Sequence, residues 1–222
     1  MSSDPTTKAS APTPSSTARP AVARPRQARS RQRAEAMLQA ARDLIAAGGI
    51  ADLKMAEVAR RADVPIGSLY QYFPTRTALI GRLHEIEMGH VSSVLVRAMA
   101  RARTRRDVLD QVRPVLEEIV ALHAERPQLA AIWWAPAYEA DLRAPDLADT
   151  ARNARLIADR FLDCPGPNIN PDEIIDAWML ILHLASELVR LVAVAGDGIG
   201  LADPFGSFDT MVRARMDPFI AQ

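Results

Sequence analysis

The chain is predicted to be all-α, with a small N-terminal three-helix unit followed by a larger helical unit. Three observations predict it. Glycine is scarce, at 10 of 222 residues, and aromatic residues make up 5%, while alanine, leucine and arginine abound, a mixture that favours helix over sheet. Apolar residues recur at steps of three and four rather than alternating. Gly and Pro gather where those patterns break.

Composition excludes several classes. With 49% hydrophobic and 24% charged residues the chain is globular. The single cysteine, Cys164, excludes a disulfide framework and a Cys-rich zinc module and fits a reducing compartment. The zero net charge hides a division: residues 1–106 carry 18 basic and 8 acidic side chains, +10, and residues 107–222 carry 9 and 19, −10. A basic N-terminal half suits a polyanion such as nucleic acid, and the acidic half is repelled from it.

Residues 1–29 are Pro, Ser, Thr, Ala and Arg with almost nothing large and apolar, so burial cannot offset their ordering entropy. They are expected to form a disordered basic arm whose last arginines, Arg24, Arg26, Arg29, Arg31 and Arg33, lie beside the first helix. No apolar run marks a secretory signal. Helix begins at Ser30: Ala34, Met37, Leu38, Ala41, Leu44 and Ile45 share a face, and Gly48-Gly49 supplies a left-handed stop. A second helix fits Met55 to Ala62 and a third Ile66 to Phe73, with Pro65 in its first turn. Pro74 ends the third helix, and Thr75 caps a fourth over Arg76 to about Ala102. Thr104 and Asp107 open a helix reaching Glu125. Gln128 to Tyr138 is a short apolar segment, Asp146 to Leu162 is amphipathic, and residues 164–171 form a Pro-rich loop. A long helix over 172–195 and a last one over about 204–220 complete the chain.

The helix 172–195 places Asp176, His183, Glu187 and Arg190 on one narrow stripe and is otherwise almost wholly apolar. Charges along a stripe argue against a membrane span. A soluble helix apolar around most of its circumference must be covered on several sides, and a second copy of the chain is the natural cover, giving a two-fold dimer through 172–195 and 204–220.

The second and third helices have the form of a DNA-reading helix-turn-helix. Ala59 is small where the helices approach, Val58 and Ala62 face the core, Val64 anchors the turn, and Leu69 holds the third helix onto the second. Asp63 occupies the left-handed turn position, which Asp tolerates better than most residues. The string LKMAEVARRADVPIGSLYQYFPTRTAL resembles the TetR family of one-component regulators over about residues 31–85, with Gly67, Leu69, Tyr70, Tyr72, Phe73 and Arg76 in the family register. Three positions depart from the family pattern. Lys54 stands where Thr is usual, Asp63 where Gly is usual, and Pro65-Ile66 replaces a Ser-basic pair.

The resemblance implies a division into an arm (1–29), a DNA-binding domain (30–75) and an effector-binding and dimerisation domain (76–222). It implies a dimer on a palindromic double-stranded operator, most simply a cytoplasmic, nucleoid-associated bacterial repressor that a small hydrophobic effector releases. Carried over by position, Gly67 permits close approach to the groove, Ser68 and Gln71 face base edges, and Ile66 offers an apolar contact to a thymine methyl. Lys54, Tyr70, Tyr72 and Arg76 are expected on phosphates, where they fix register without reading sequence. For the effector the candidates are His123, Trp133, Trp134, Tyr138, Trp178 and His183. An activator of the same architecture, or a helical binding protein or enzyme with a vestigial motif, are the competing readings.

No cofactor, metal or catalytic site is expected. Glu87-x-x-His90 has the spacing of carboxylate di-iron bundles, but only one copy exists where two are needed. There is no HExxH, GxSxG, phosphate loop or Rossmann fingerprint.

Overall fold

The computed structural model describes residues 23–126, 128–195 and 200–220, with the side chains of 23–26 and 194–195 excepted. The described residues are helical with no strand. The elements are α1 (Ala23–Gly48), α2 (Met55–Arg61), α3 (Ile66–Tyr72), α4 (Arg76–Arg101), α5 (Arg105–Asp110), α6 (Val112–Glu125), α7 (Gln128–Trp133), α8 (Ala135–Tyr138), α9 (Arg143–Asp163), α10 (Pro171–Ala195) and α11 (Pro204–Met216). Short 3-10 turns precede α9 and follow α11.

Two boundaries differ from the sequence reading. α1 starts at Ala23 rather than Ser30: Arg, Gln and Ala at these positions are good helix formers, and Pro25 falls in the first turn where it is tolerated. The rest of the expected arm lies outside the described residues. The helix expected from Thr104 to Glu125 is two, α5 and α6, broken at Gln111. Pro114 explains the break, since it has no N–H to offer the Asp110 carbonyl and its ring collides with that carbonyl in a continuous helix.

The local signals are otherwise realised. Gly49 adopts φ 79° and donates its N–H to the Ile45 carbonyl at 2.8 Å, ending α1. Thr75 Oγ1 accepts from Ala78 N at 3.0 Å at the start of α4, and Thr104 with Asp107 forms a reciprocal capping box. Asp63 has φ 54°, in the left-handed region. Val64 then donates to the Ala59 carbonyl, so the α2–α3 turn closes on itself.

Two cores form. Met37, Leu38, Ala41, Val58, Ala59, Leu69 and Phe73 pack with Leu79, Ile80 and Leu83 of α4 and with Ile132, Ala135 and Leu142. Met88, Val91, Leu95 and Met99 of the same helix pack with α5, α6, α9, α10 and α11 around Trp178 and Phe161. Packing therefore divides inside α4, between Leu83 and Met88, rather than at residue 75. The first turns of α4 complete the small core, which three helices of this size cannot close alone.

Arg105 is buried on the underside of the larger core. Its guanidinium donates to the Phe219 and Pro167 carbonyls at 2.9 and 2.8 Å and lies 5.1 Å from the Phe161 ring centroid. Gly166 leaves the space it needs, because a Cβ there would stand 2.6 Å from Arg105 Cζ. Arg105→Ala strands two carbonyls and removes a cation–π contact, so chemical denaturation is expected to show a loss of about 2–4 kcal/mol.

Candidate nucleic-acid interface and inner cavity

α3 is held inward by Leu69, which is fully buried, and Phe73 just past its end. One face remains outward, since positions 66, 67, 70 and 71 follow the i, i+1, i+4, i+5 spacing of a helix side. Ile66 is 43% and Tyr70 47% exposed, and Gly67 and Gln71 are exposed beside them, with Ser68 half-buried at the edge. A large aliphatic and an aromatic side chain held in solvent on a seven-residue helix is a surface built to meet something. At Gly67 an added Cβ would meet no atom within 4 Å, so nothing inside the protein requires glycine there.

Neighbouring groups extend this face. Lys54 is exposed at the N-cap position of α2 and makes no side-chain cap. Tyr72 is half-buried, and its hydroxyl lies 2.9 Å from Ser30 Oγ. That contact brings the start of α1, with exposed Arg29, Arg31 and Arg33, to the end of α3.

Arg76 departs from the expected phosphate contact. Its guanidinium donates to the Leu53 carbonyl at 3.1 Å, to the Ile50 carbonyl, and to the Glu139 carboxylate, which also accepts from Thr77 Oγ1 at 3.0 Å. It thus ties the α1–α2 loop to the end of α8. Three of its five N–H donors are thus engaged within the protein.

A second polar cluster crosses the boundary deeper in. The Glu87 carboxylate is buried, and it meets Arg42 Nε of α1 at 3.3 Å, His90 Nδ1 at 3.1 Å and Arg126 after α6 at 3.6 Å. The one sequence pair with metal-ligand spacing is therefore occupied by two guanidinium groups. No group of three metal-ligating side chains occurs among the described residues.

Between α4, α6, α9 and α10 lie two adjoining cavities of about 70 and 40 Å³. Leu95, Val115, Leu116, Leu182 and Ala185 line both and form the partition between them. Of the residues expected around an effector, Trp133 lines the larger and Trp178 the smaller; the Trp178 Nε1–H is buried without a partner. His123 stands behind Trp133, ring centroids 4.9 Å apart, with Nδ1 at 2.8 Å from the Ile119 carbonyl. The other three are elsewhere. Tyr138 is 76% exposed, Trp134 is half-buried away from both cavities, and His183 lies in an outer groove with Arg143, Glu187 and Arg190.

The larger cavity also has a polar lip that the sequence reading missed: Asp146, Asp149, Thr150 and Asn153 of α9 and Ser186 of α10. Asn153 Oδ1 accepts from Ser92 Oγ at 2.9 Å, and its Nδ2 lies 3.3 Å from Asp149 Oδ2. The spacing of 146, 149, 150 and 153 was a usable signal. It continues the inward stripe of Ile157 and Phe161, but as polar residues it reads as a solvated face.

A helix-turn-helix with an outward-facing third helix, set on a helical body with an internal cavity, is the architecture of DNA-binding regulators. Residues 37–83 match the family described as bacterial regulatory proteins, tetR family, so the N-terminal helix-turn-helix unit is of the TetR type. No curated protein is matched. Among solved structures, a TetR-family transcriptional regulator from Streptomyces coelicolor is 23% identical at TM-score 0.63, with 85% of this chain and 99% of that one covered. SmeT, the repressor of the Stenotrophomonas maltophilia multidrug efflux pump SmeDEF, is 16% identical at TM-score 0.63, covering 82% and 88%. A TetR transcriptional regulator from Rhodococcus sp. RHA1 is 24% identical at TM-score 0.57, covering 84% and 96%. These likenesses establish the fold over nearly the whole length of each relative. No helix among the described residues is long and apolar enough to cross a membrane.

Burial pushes the His123 imidazole below its ordinary value of 6.5, and the hydrogen bond to the Ile119 carbonyl opposes that only in part. A depressed histidine stays neutral in the folded chain while its unfolded counterpart takes a proton. Stability is therefore complete above about pH 6.5 and falls as the pH drops below it. Denaturation of the wild type and His123→Gln across pH 7.5 to 5.5 is expected to show a shallower decline in the variant.

Proposed function

We propose that this chain is a homodimeric one-component transcriptional repressor that binds a palindromic operator through α3 and is released by a small effector held between α4, α6, α9 and α10. In this reading it acts in the bacterial cytoplasm on the nucleoid. The observation that carries it is the outward face of α3, with Ile66, Gly67, Tyr70 and Gln71 free of internal duties. Ser68 and Gln71 read base edges, and Ile66 meets a thymine methyl. Lys54, Tyr70 and the Tyr72 hydroxyl hold phosphates, joined by the arginines at the start of α1 rather than by Arg76.

The cavities support the release step. Ligand pockets generally enclose about 300–1,000 Å³, far more than the 70 and 40 Å³ of these two cavities. An effector seated between α4, α6, α9 and α10 moves these helices apart, so it favours a different arrangement and shifts the population away from the DNA-competent one. The fold shared with SmeT, itself a repressor, agrees with the sign of regulation.

Dimerisation through α10 and α11 is supported by Leu180, Leu184 and Leu191 on α10 and Met211 on α11, all exposed in the single chain. With Asp176, His183 and Glu187 they make an apolar face edged by charge, which is the anatomy of an interface. Leu184→Glu places a charge in its centre without touching a core. Analytical ultracentrifugation is expected to find the wild type dimeric and this variant monomeric at micromolar concentration.

The DNA reading is tested by titrating the purified protein onto the region upstream of its own gene. Specific binding that weakens steeply with added salt is expected; a dimer that prefers no promoter DNA overturns it. Gly67→Ala separates binding from folding. Stability should be unchanged or raised by up to about 1 kcal/mol, while operator affinity falls at least tenfold, and Gln71→Ala should lose about 1–3 kcal/mol at the cognate site.

A further inference from the structure

The chemistry of the cavity names the class of molecule it accepts. Its interior is aliphatic and aromatic, from Met88, Val91, Leu95 and Ile119 to the buried Trp133. At the lip stand two carboxylates, Asp146 and Asp149, and its lining contains no lysine, arginine or histidine. Asp146 is the less answered of the two from within. Asp146 Oδ1 is 3.3 Å from His84 Nε2, which forms no hydrogen bond, and Asp149 meets Asn153 and the guanidinium of Arg152, a side chain 68% exposed and outside the cavity. Their remaining solvation comes from water: the side chains are 26% and 16% exposed.

The lip is also where the cavity meets the surface. Asp146, Thr150 and Ser186 line both the cavity and the outer groove beside His183 and Arg190, and Met88 and Asp149 line both the cavity and a groove on the α4 side. Each groove thus meets the cavity at one of the two carboxylates.

We propose that the effector is an amphipathic organic cation, seated with its positive centre between Asp146 and Asp149 and its apolar body against Trp133 and Leu95. This inference rests on the effector-binding reading above. A neutral apolar molecule filling the lip strips water from two carboxylates and gives nothing back, which is costly. An anion adds repulsion. A cation compensates the charge of Asp146 and adds to the single guanidinium that meets Asp149. Met88, unbranched and adaptable, and the partition of leucines and valines are the groups that must yield to admit the apolar body.

The test uses three probes of nearly equal size and shape: (3-phenylpropyl)trimethylammonium, its neutral carbon isostere with a tert-butyl group, and 3-phenylpropane-1-sulfonate. Binding to the full-length protein is measured by calorimetry, and release of operator DNA by fluorescence anisotropy. The ammonium probe is expected to bind at least tenfold more tightly than the isostere, with no detectable sulfonate binding. In Asp146→Asn/Asp149→Asn that preference should fall below threefold. Circular dichroism and operator binding of the ligand-free variant check that it is folded. Equal or tighter binding of the isostere or the sulfonate, a preference that survives the double substitution, or failure of all three to bind overturns the proposal. Preferential binding of the cation without release of DNA upholds the ligand class and overturns the release mechanism instead. Release of DNA by the neutral isostere at equal affinity does the reverse.

Discussion

The structure depends on one constraint: α4 belongs to two cores at once. Leu79, Ile80 and Leu83 are sealed beneath the helix-turn-helix, and Met88, Val91, Leu95 and Met99 are sealed in the body of the second domain. Close-packed interiors do not deform smoothly. A shift of the C-terminal half of α4 must therefore bend the helix, break one core or carry α2 and α3 with it. α4 runs unbroken and without proline between the two cores, so in the proposed release step it is the element that joins motion of the body to α2 and α3. The two polar clusters act in parallel. Arg76 fastens the α1–α2 loop to Glu139 at the end of α8, and Glu87 fastens Arg42 of α1 to Arg126 after α6.

Such a linkage is useful only if the two arrangements are close in energy. Moving an equilibrium from mostly bound to mostly free takes a preference of about 10⁴, roughly 5.5 kcal/mol, for one arrangement over the other. Filling a partly formed apolar space contributes about 25 cal/mol per Å² of surface removed from water, so even a small ligand body approaches that figure before any charge interaction.

Much of this was legible in the residues themselves. Helix periodicity, the Gly48-Gly49 stop, the Thr75 and Thr104 caps and the Asp63 turn each rest on short-range physics, and each is found where the pattern places it. Leu69 and Phe73 were separable from Gly67 and Gln71 because a seven-residue helix has only one inward side. Contacts set by tertiary packing were not legible. Arg76 sits in the family register, yet nothing nearby in sequence reveals Glu139, 63 residues further along the chain. The polar stripe of α9 points inward only because α4 and α10 close over it. The aromatic residues chosen for an effector site were selected by size, and size cannot distinguish Trp178 at the centre of a core from Tyr138 on the surface. Pro114, by contrast, was a readable break within a helix that the Thr104 signal made look continuous.

The division of charge between the halves takes on a physical sense once the fold is known. The basic residues of the first half include Arg29, Arg31, Arg33 and Lys54, exposed on the unit that carries α3, and they favour approach to a phosphate backbone. The acidic excess lies in the unit that must stay off the DNA, and repulsion there helps orient the encounter so that α3 leads. The same excess raises the local concentration of cations around the second domain, and it does so at α9, where Asp146 and Asp149 border the opening of the cavity.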